Sequence, residues 1–297
     1  MQTIDALALR QRLVRPPDAH KGAGGRVLLV GGAQGMTGAL VLSGMAALYS
    51  GAGWVELAFL CDPAPWVLGE HPELMLRSAG GLLALDEAAF HTALASTQAL
   101  GIGPGMGQSP VARAWLSRLL QPCAGTPRLD LPLVIDADAL HLLAQQPELM
   151  AGLRARTLPA VLTPHPGEAG VLLGCSAQAV QADRPAALKR LVALTHSVVV
   201  LKGQGSLVAG PGWGPEICGA GNSGMGSGGM GDVLTGLLAA LLAQGLRQGL
   251  SVWDLTRLGV QLHALAADEL VHVLHQGPLG LTASEVAKQV RSLLNGK

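Results

Sequence analysis

The chain has 297 residues with 20 Lys+Arg and 20 Asp+Glu, so its formal net charge is zero. This balance argues against non-specific binding to nucleic acid or to acidic membranes, which both need a basic surface. A hydrophobic fraction of 49% excludes a disordered chain. The 41 glycines are about twice the usual share of roughly 7%, which predicts a compact protein whose backbone closely approaches another group.

The N-terminus has no apolar signal-peptide core, and the longest apolar stretch, 233–246, is too short to cross a bilayer. We therefore expect a cytoplasmic protein without membrane or nucleic-acid partners.

Six short apolar runs predict buried strands. They begin at Arg26, Trp54, Ala99, Leu131, Ala160 and Ser197. Each run is apolar at consecutive positions, which is typical of a strand that is covered on both faces.

Amphipathic segments alternate with these runs and predict helices over 37–49, 110–120, 177–194, 232–244, 252–274 and 283–294. The alternation predicts an α/β fold with a central, mostly parallel sheet and helices on both faces. Residues 207–218 predict an antiparallel hairpin at the sheet edge. We expect one domain over 1–297, with a helical extension over 1–19, and a ligand site beyond the carboxyl ends of the strands.

The strongest functional signal is the glycine-rich segment 221–232, which runs directly into an apolar helix. Glycines let a loop turn its N–H groups inward, and the helix start adds free N–H groups and a positive dipole end, which together form an anion site. Asp232 could cap this helix, but a carboxylate beside an anion site could also take a proton from a substrate hydroxyl. We favour the base because six glycines precede Asp232 in one loop.

The spacing Gly226-x-Gly228-x-x-Gly231 matches a dinucleotide fingerprint formally. It follows no strand, and no acidic residue ends a strand about 20 residues later, so the Rossmann interpretation is rejected. The GxxxxGK[ST] phosphate loop is absent from the sequence as well.

Further motifs follow the predicted strands. Lys202 and the small polar turn after it could contact a nucleotide or be surface residues. His165, held between two prolines, is well placed for ligand contact, although an isolated histidine is more often structural. Asp136 and Asp138 could orient a hydrated metal or cap the next helix. Glycine-rich strand ends occur at 31–39 and 101–107.

Taken in order, the segments HKGAGGRVLLVGGAQGMTGA, GIGPGMG, VIDADAL, LTPHPGE, VVLKGQGS and GNSGMGSGGMGDVLTG resemble the NAD(P)H-hydrate dehydratases of the ribokinase-like superfamily. The resemblance runs from about His20 to the C-terminus. It implies a three-layer ribokinase-like fold. It also implies the stand-alone form without an epimerase domain, and homo-oligomers that are commonly tetramers.

The implied reaction is a metabolite repair by a carbon–oxygen lyase. The S epimer of hydrated NADH or NADPH is returned to NAD(P)H, while bacterial and archaeal members convert ADP to AMP and phosphate and eukaryotic members use ATP. We expect Mg²⁺ to accompany the nucleotide, and the sequence does not fix which residues bind the metal.

The resemblance also assigns residues. Asp232 would be the catalytic base, and the amides of Gly228–Gly231 would steady the transferred phosphoryl group. The substrate contacts would be Ala39, Gly105, His165 and Asp232, and the nucleotide contacts would be Lys202, Gly203, Gln204, Gly205, Ser206 and Gly231. Family members often carry Thr at the position of Ser206, and Ser206 retains the hydroxyl group.

Two alternatives remain open at this point. A ribokinase-like kinase of a vitamin precursor would share the Gly-Asp helix start and stop after phosphoryl transfer. A non-catalytic nucleotide-binding protein would have no need for Asp232 beside the phosphates.

Overall fold

The computed structural model describes residues 1–61, 66–121, 129–275 and 277–296. The strands are β1 Gln2–Thr3, β2 Arg26–Gly31, β3 Trp54–Phe59, β4 Met75–Ser78, β5 Ala99–Ile102, β6 Leu133–Ile135, β7 Val161–Leu162, β8 Val198–Leu201, β9 Leu207–Gly210 and β10 Trp213–Ile217. They form one sheet in the order β1-β10-β9-β8-β7-β6-β5-β2-β3-β4.

The helices are α1 Thr37–Tyr49, α2 Trp66–Glu70, α3 Ala79–Leu83, α4 Glu87–Leu94, α5 Pro110–Leu120, α6 Asp138–Gln145, α7 Pro147–Arg154, α8 Pro166–Leu173, α9 Ala177–Ala182, α10 Arg184–Thr195, α11 Met230–Gly245, α12 Val252–Asp268 and α13 Ala283–Leu294. A single π-helical turn, Glu269–Val273, follows α12 where the sequence predicted a longer helix.

The sheet is parallel from β4 across to β8, and only β9 runs antiparallel to its neighbours β8 and β10. Strand β2 illustrates why helices cover both faces of the sheet. Val27 and Leu29 pack into one apolar cluster together with α1, α11, α12 and α13. Leu28 and Val30 pack into a second cluster with α3 to α10 on the other face. The predicted three-layer α/β fold and the hairpin are therefore confirmed.

The helix predicted over 177–194 is two helices. The helix is interrupted at Asp183, which has the non-helical angles φ −147° and ψ 79°. Its carboxylate caps α10 by accepting a hydrogen bond of 2.9 Å from the Ala186 N–H. Pro185, in the first turn of α10, has no backbone N–H to donate to a carbonyl of α9. The two helices therefore cannot be continuous.

The helical extension predicted over 1–19 is also different in the structure. It contains β1 and a 3-10 helix, Leu7–Arg12, and β1 runs parallel to β10. The Ile4 N–H donates to the Ile217 carbonyl over 2.8 Å. Pairing with the open edge of the sheet satisfies backbone groups that a short isolated helix could not keep stable.

Candidate active site

The loops after the parallel strands meet at one edge of the sheet. The Gly32 N–H donates to the Pro104 carbonyl over 3.0 Å, and the Ala33 N–H donates to the Gly105 carbonyl over 2.7 Å. A Cβ built on Gly105, whose φ is +55°, would lie 3.1 Å from the Cβ of Ala39. The structure therefore brings together the predicted substrate contacts Ala39 and Gly105.

Asp136 is a buried carboxylate at the end of β6, with 1% of its surface exposed. Its Oδ1 accepts from Lys202 Nζ over 2.8 Å, and its Oδ2 accepts from the Thr235 hydroxyl over 2.9 Å. No side chain caps the following helix α6, so the capping interpretation of Asp136 and Asp138 is wrong. Instead, Asp138 Oδ2 accepts from the Gly107 N–H over 2.8 Å.

Lys202 lies between two carboxylates and is not a simple surface residue. Besides Asp136, its Nζ is 3.7 Å from Glu168 Oε2. Burial alone would lower the pKa of Lys202, but Asp136 and Glu168 outweigh that effect and raise it. Lys202 is therefore a fixed cation at the carboxyl end of β8.

His165 has a structural role in addition to its predicted one. Its Nδ1 accepts from the Gly167 N–H over 3.0 Å and from the Glu168 N–H over 3.2 Å, which caps α8. In return the Glu168 carboxylate accepts from the His165 N–H over 2.7 Å. Half of the His165 side chain remains exposed, and its contact with a ligand stays a prediction.

The glycine-rich loop is fixed at its beginning by Asp268, at the end of α12. The Asp268 carboxylate accepts from the Gly221 N–H over 2.8 Å and from Asn222 Nδ2 over 2.9 Å. Asn222 Oδ1 in turn accepts from the Gly224 N–H over 2.9 Å. These hydrogen bonds hold the beginning of the loop, 221–224, against the end of α12.

Helix α11 begins at Met230, two residues earlier than predicted, and no side chain caps it. Gly229, with φ +92°, is the cap residue. A Cβ built on Gly226 or Gly228 would meet nothing within 4 Å, so the space beside the loop is open. Uncapped N–H groups at a helix start, facing open space, form an anion site.

Asp232 is the third residue of α11, and its carboxylate does not cap the helix. Burial raises the pKa of Asp232 to about 7, with Asp136 as the next cause and Lys202 opposing them. Its backbone carbonyl accepts from the Ser43 hydroxyl over 2.8 Å, and the same hydroxyl lies 3.2 Å from the Ala39 carbonyl. Ser43 thus ties Asp232 to the Ala39 side of the site.

A cavity of about 440 Å³ lies beside the start of α11. Its lining contains all six predicted nucleotide contacts, the segment 202–206 and Gly231. The predicted substrate contacts Ala39, Gly105, His165 and Asp232 are outside that lining, although Asp232 directly follows Gly231.

A wider cleft of about 970 Å³ is lined by residues such as Tyr49 and Arg291, which lie at the C-terminal ends of α1 and α13. It contains none of the predicted site residues, whereas the smaller cavity contains the six predicted nucleotide contacts.

Sequence reasoning missed Arg184, which holds the segment 202–206 from outside. Arg184 Nη1 donates to the Gln204 carbonyl over 2.7 Å, and its Nη2 donates to the Leu201 carbonyl over 3.1 Å. It also missed Asp268, and His263, whose buried ring lines the cavity. No sequence signal pointed to these three, because each lies in a helix outside the motifs and only the fold brings it to the cavity or its loops.

Within the described ranges, no cluster of three or more His, Cys, Asp or Glu side chains is arranged to hold a metal ion. Four carboxylates, those of Asp136, Asp138, Glu168 and Asp232, nevertheless act on one another or on Lys202. This donor set fits Mg²⁺, which keeps several waters and uses one or two carboxylates together with phosphate oxygens. Among the described residues, no helix is both long and apolar enough to span a membrane.

Solved structures share this fold. The ADP/ATP-dependent NAD(P)H-hydrate dehydratase of Bacillus subtilis, co-crystallized with ATP/Mg²⁺, superposes with a TM-score of 0.79 at 25% identity, covering 99% of this chain and 98% of that one. Hydroxyethylthiazole kinase of Pyrococcus horikoshii superposes with a TM-score of 0.61 at 14% identity, covering 99% of this chain and 92% of that one, which shows a shared fold alone.

Curated relatives are closer in sequence. The bifunctional NAD(P)H-hydrate repair enzyme of Coxiella burnetii is 39% identical over 281 residues, which cover 95% of this chain and 52% of that protein. The ADP-dependent (S)-NAD(P)H-hydrate dehydratase of Neisseria meningitidis is 38% identical over 282 residues, covering 95% of this chain and 88% of that protein. The chain spans about half the length of the bifunctional relatives it matches.

The sequence profile of the NAD(P)H-hydrate dehydratase family matches residues 27–290, nearly the whole chain. That range includes all of β2 except Arg26, the strands β3 to β10, the glycine-rich loop and Asp232. The chain therefore belongs to the NAD(P)H-hydrate dehydratase family.

Proposed function

We propose that the protein dehydrates the S epimer of hydrated NADH or NADPH to NAD(P)H and converts ADP to AMP and phosphate as it does so. One observation carries this proposal. Asp232, with a pKa of about 7, stands at the uncapped start of α11, next to a cavity that the predicted nucleotide contacts line. A base poised near neutral pH beside an anion site suits transfer of a phosphoryl group to a hydroxyl.

In the first step, Asp232 takes the proton of the ring hydroxyl, and the hydroxyl oxygen attacks the β-phosphorus of ADP. The bond between that phosphorus and the bridging oxygen breaks, and AMP leaves. The N–H groups of Gly228–Gly231 and the Lys202 ammonium stabilise the charge on the phosphoryl oxygens. Lys202 supports this role because its raised pKa keeps it cationic.

In the second step, the ring nitrogen lone pair expels the phosphorylated oxygen as inorganic phosphate, and loss of a ring proton restores the dihydronicotinamide. Phosphate is a far better leaving group than hydroxide. Ala39, Gly105 and His165 would hold the hydrated ring against Asp232, and the link from Ala39 through Ser43 to Asp232 supports this placement.

We further propose that Mg²⁺ arrives with the nucleotide, held by phosphate oxygens, water and the carboxylates of Asp136 and Asp138. When bound, the ion would neutralise phosphate charge. The carboxylates outnumber the single Lys202 cation among the groups that act on Asp232, so an added cation would ease the approach of the phosphates.

A cytoplasmic location and a homotetramer are also proposals, supported by the family resemblance. Light scattering at several protein concentrations tests the assembly, and a monomer at all of them would overturn it.

The test of function is to incubate the protein with hydrated NADH, Mg²⁺ and either ADP or ATP, and to follow the return of dihydronicotinamide absorbance. The proposal requires recovery that depends on the nucleotide. No recovery with either nucleotide would overturn it, and phosphorylation of a vitamin precursor instead would favour the kinase alternative.

Asp232→Asn is expected to abolish recovery while leaving nucleotide binding measurable. Asp254→Asn is the matched control, because Asp254 is also the third residue of a helix but caps it together with Ser251. The control should lose only about 1 kcal/mol of stability and keep its turnover.

A further inference from the structure

His263 is buried in α12 with 7% of its surface exposed, yet its ring lines the candidate nucleotide cavity. Val260 and Ala264 line the cavity from the same face of the helix. Within the described residues, His263 Nε2 is a buried nitrogen that has no hydrogen-bond partner. Buried polar atoms in native proteins nearly always have a partner, so this orphaned atom needs an explanation.

The contact of the His263 ring with the Met230 backbone indicates which ring nitrogen carries the proton. The Met230 backbone raises the pKa of His263, which is the effect of a carbonyl that faces a ring N–H. Since Nε2 has no partner, the donor is Nδ1–H. In the neutral ring, Nε2 is then an acceptor with a free lone pair.

The ring is neutral at pH 7. Burial lowers the pKa of His263 to about 4, with the Lys202 charge adding to the effect. A neutral acceptor nitrogen does not suit a phosphate oxygen, which is also an acceptor. It suits an O–H or N–H group, and the nucleoside part of ADP carries these as ribose hydroxyls and as the exocyclic amine of the base.

We propose that His263 Nε2 accepts a hydrogen bond from the nucleoside part of the bound nucleotide and so contributes to recognition of the adenosine unit. The apolar lining by Met225, Leu234 and Val260 beside it offers walls for a base or sugar. This inference rests on the proposed function, since it needs a nucleotide in this cavity.

Two substitutions separate the two ring nitrogens. His263→Asn keeps a donor near Nδ1 for the Met230 carbonyl and removes the acceptor at the Nε2 position. His263→Gln places an amide oxygen at the Nε2 position. Thr256→Val is the control on the same helix, because the buried Thr256 hydroxyl donates to the Val252 carbonyl, over 2.7 Å, one turn earlier in that helix, and Thr256 does not line the cavity.

Calorimetric titration with ADP and Mg²⁺ measures the effect without any turnover. We expect His263→Asn to weaken binding about 3- to 10-fold, His263→Gln to recover part of the loss, and Thr256→Val to bind like the wild type. Circular dichroism of each variant confirms that it is folded.

Titrations with 2′-deoxy-ADP, 3′-deoxy-ADP and inosine diphosphate identify the donor. The analogue that lacks the contacted group should bind the wild type more weakly and should bind wild type and His263→Asn equally. If a folded His263→Asn binds ADP as tightly as the wild type, the inference is overturned but the proposed function is not. The same holds if His263→Asn loses the same affinity for ADP and for every analogue. Absence of ADP binding by the wild type would overturn both this inference and the proposed function.

Discussion

Lys202 Nζ lies 2.8 Å from Asp136 Oδ1, so an ion pair joins the ends of β8 and β6 across the end of β7. The two partners differ in exposure, because the side chain of Asp136 is 1% exposed and that of Lys202 is 21% exposed. This asymmetry has consequences for stability as well as for catalysis.

Removing Lys202 should cost more stability than removing the charge of Asp136. Lys202→Met leaves a buried carboxylate without its cation, for which we expect a loss of about 3 kcal/mol in the free energy of unfolding. Asp136→Asn should cost less, because the freed ammonium can reach water and the amide oxygen can still accept from Thr235. Urea unfolding at pH 7 measures both, and an equal or reversed order would contradict the asymmetry.

The raised pKa of Asp232 predicts the pH dependence of the reaction. A base must be ionised, so kcat/KM should rise with pH through about 7 and then level off. Lys202 lowers the pKa of Asp232, so Lys202→Met should move the rise to higher pH in any activity that remains. A profile that is already flat at pH 5 would remove Asp232 from the role of base.

The same pKa predicts a stability effect in the nucleotide-free and metal-free protein. The carboxyl of Asp232 has an ordinary pKa of 3.8 and a folded-state pKa of about 7, so folding favours its protonated form. This contribution is complete below pH 4 and is lost as the pH rises to 7. At pH 8, Asp232→Asn should therefore be the more stable protein, by at most about 4 kcal/mol, since one pKa unit equals about 1.36 kcal/mol.

That effect is checked by urea unfolding of the two proteins at pH 4 and pH 8. The difference between them should grow with pH. A constant difference would mean that Asp232 titrates normally in the folded protein.

Two glycines should separate packing from ligand binding. A Cβ on Gly236 would lie 1.9 Å from the Ser43 carbonyl oxygen, so Gly236→Ala forces α1 and α11 apart and should cost several kcal/mol. A Cβ on Gly228 meets nothing, so Gly228→Ala should leave thermal unfolding unchanged and still reduce turnover by occupying the phosphoryl space. Full turnover by Gly228→Ala would contradict the placement of the phosphoryl group beside Gly228.

Arg184 should act as a positioning residue. Arg184→Met removes the donors that hold Leu201 and Gln204, so the segment 202–206 should lose its fixed shape and nucleotide binding should weaken about 3- to 10-fold. Arg190→Met is the control on the same helix, since Arg190 Nη2 donates to the Leu173 carbonyl, over 3.4 Å, which lies outside the segment 202–206. We expect KM for the nucleotide to rise in Arg184→Met with kcat little changed, and a loss confined to kcat would contradict a positioning role.

The sequence by itself determined the elements with strong local signals. Helices 37–49, 110–120 and 283–294 match the structure at both ends. Their boundaries are encoded within a few residues, as in the capping box where Thr282 and Glu285 bond each other's backbone N–H groups. The glycine-rich loop, the strand ends and the family resemblance also located the candidate site.

Only the tertiary structure decided which side chains meet at the candidate site. Asp136 is 66 positions from Lys202 and 99 from Thr235, so no sequence pattern could show that all three meet. The pKa of Asp232 likewise depends on burial and on charges that follow three different strands. Such effects fall off steeply with distance in space and are independent of distance along the chain, and therefore they become visible only once the chain is folded.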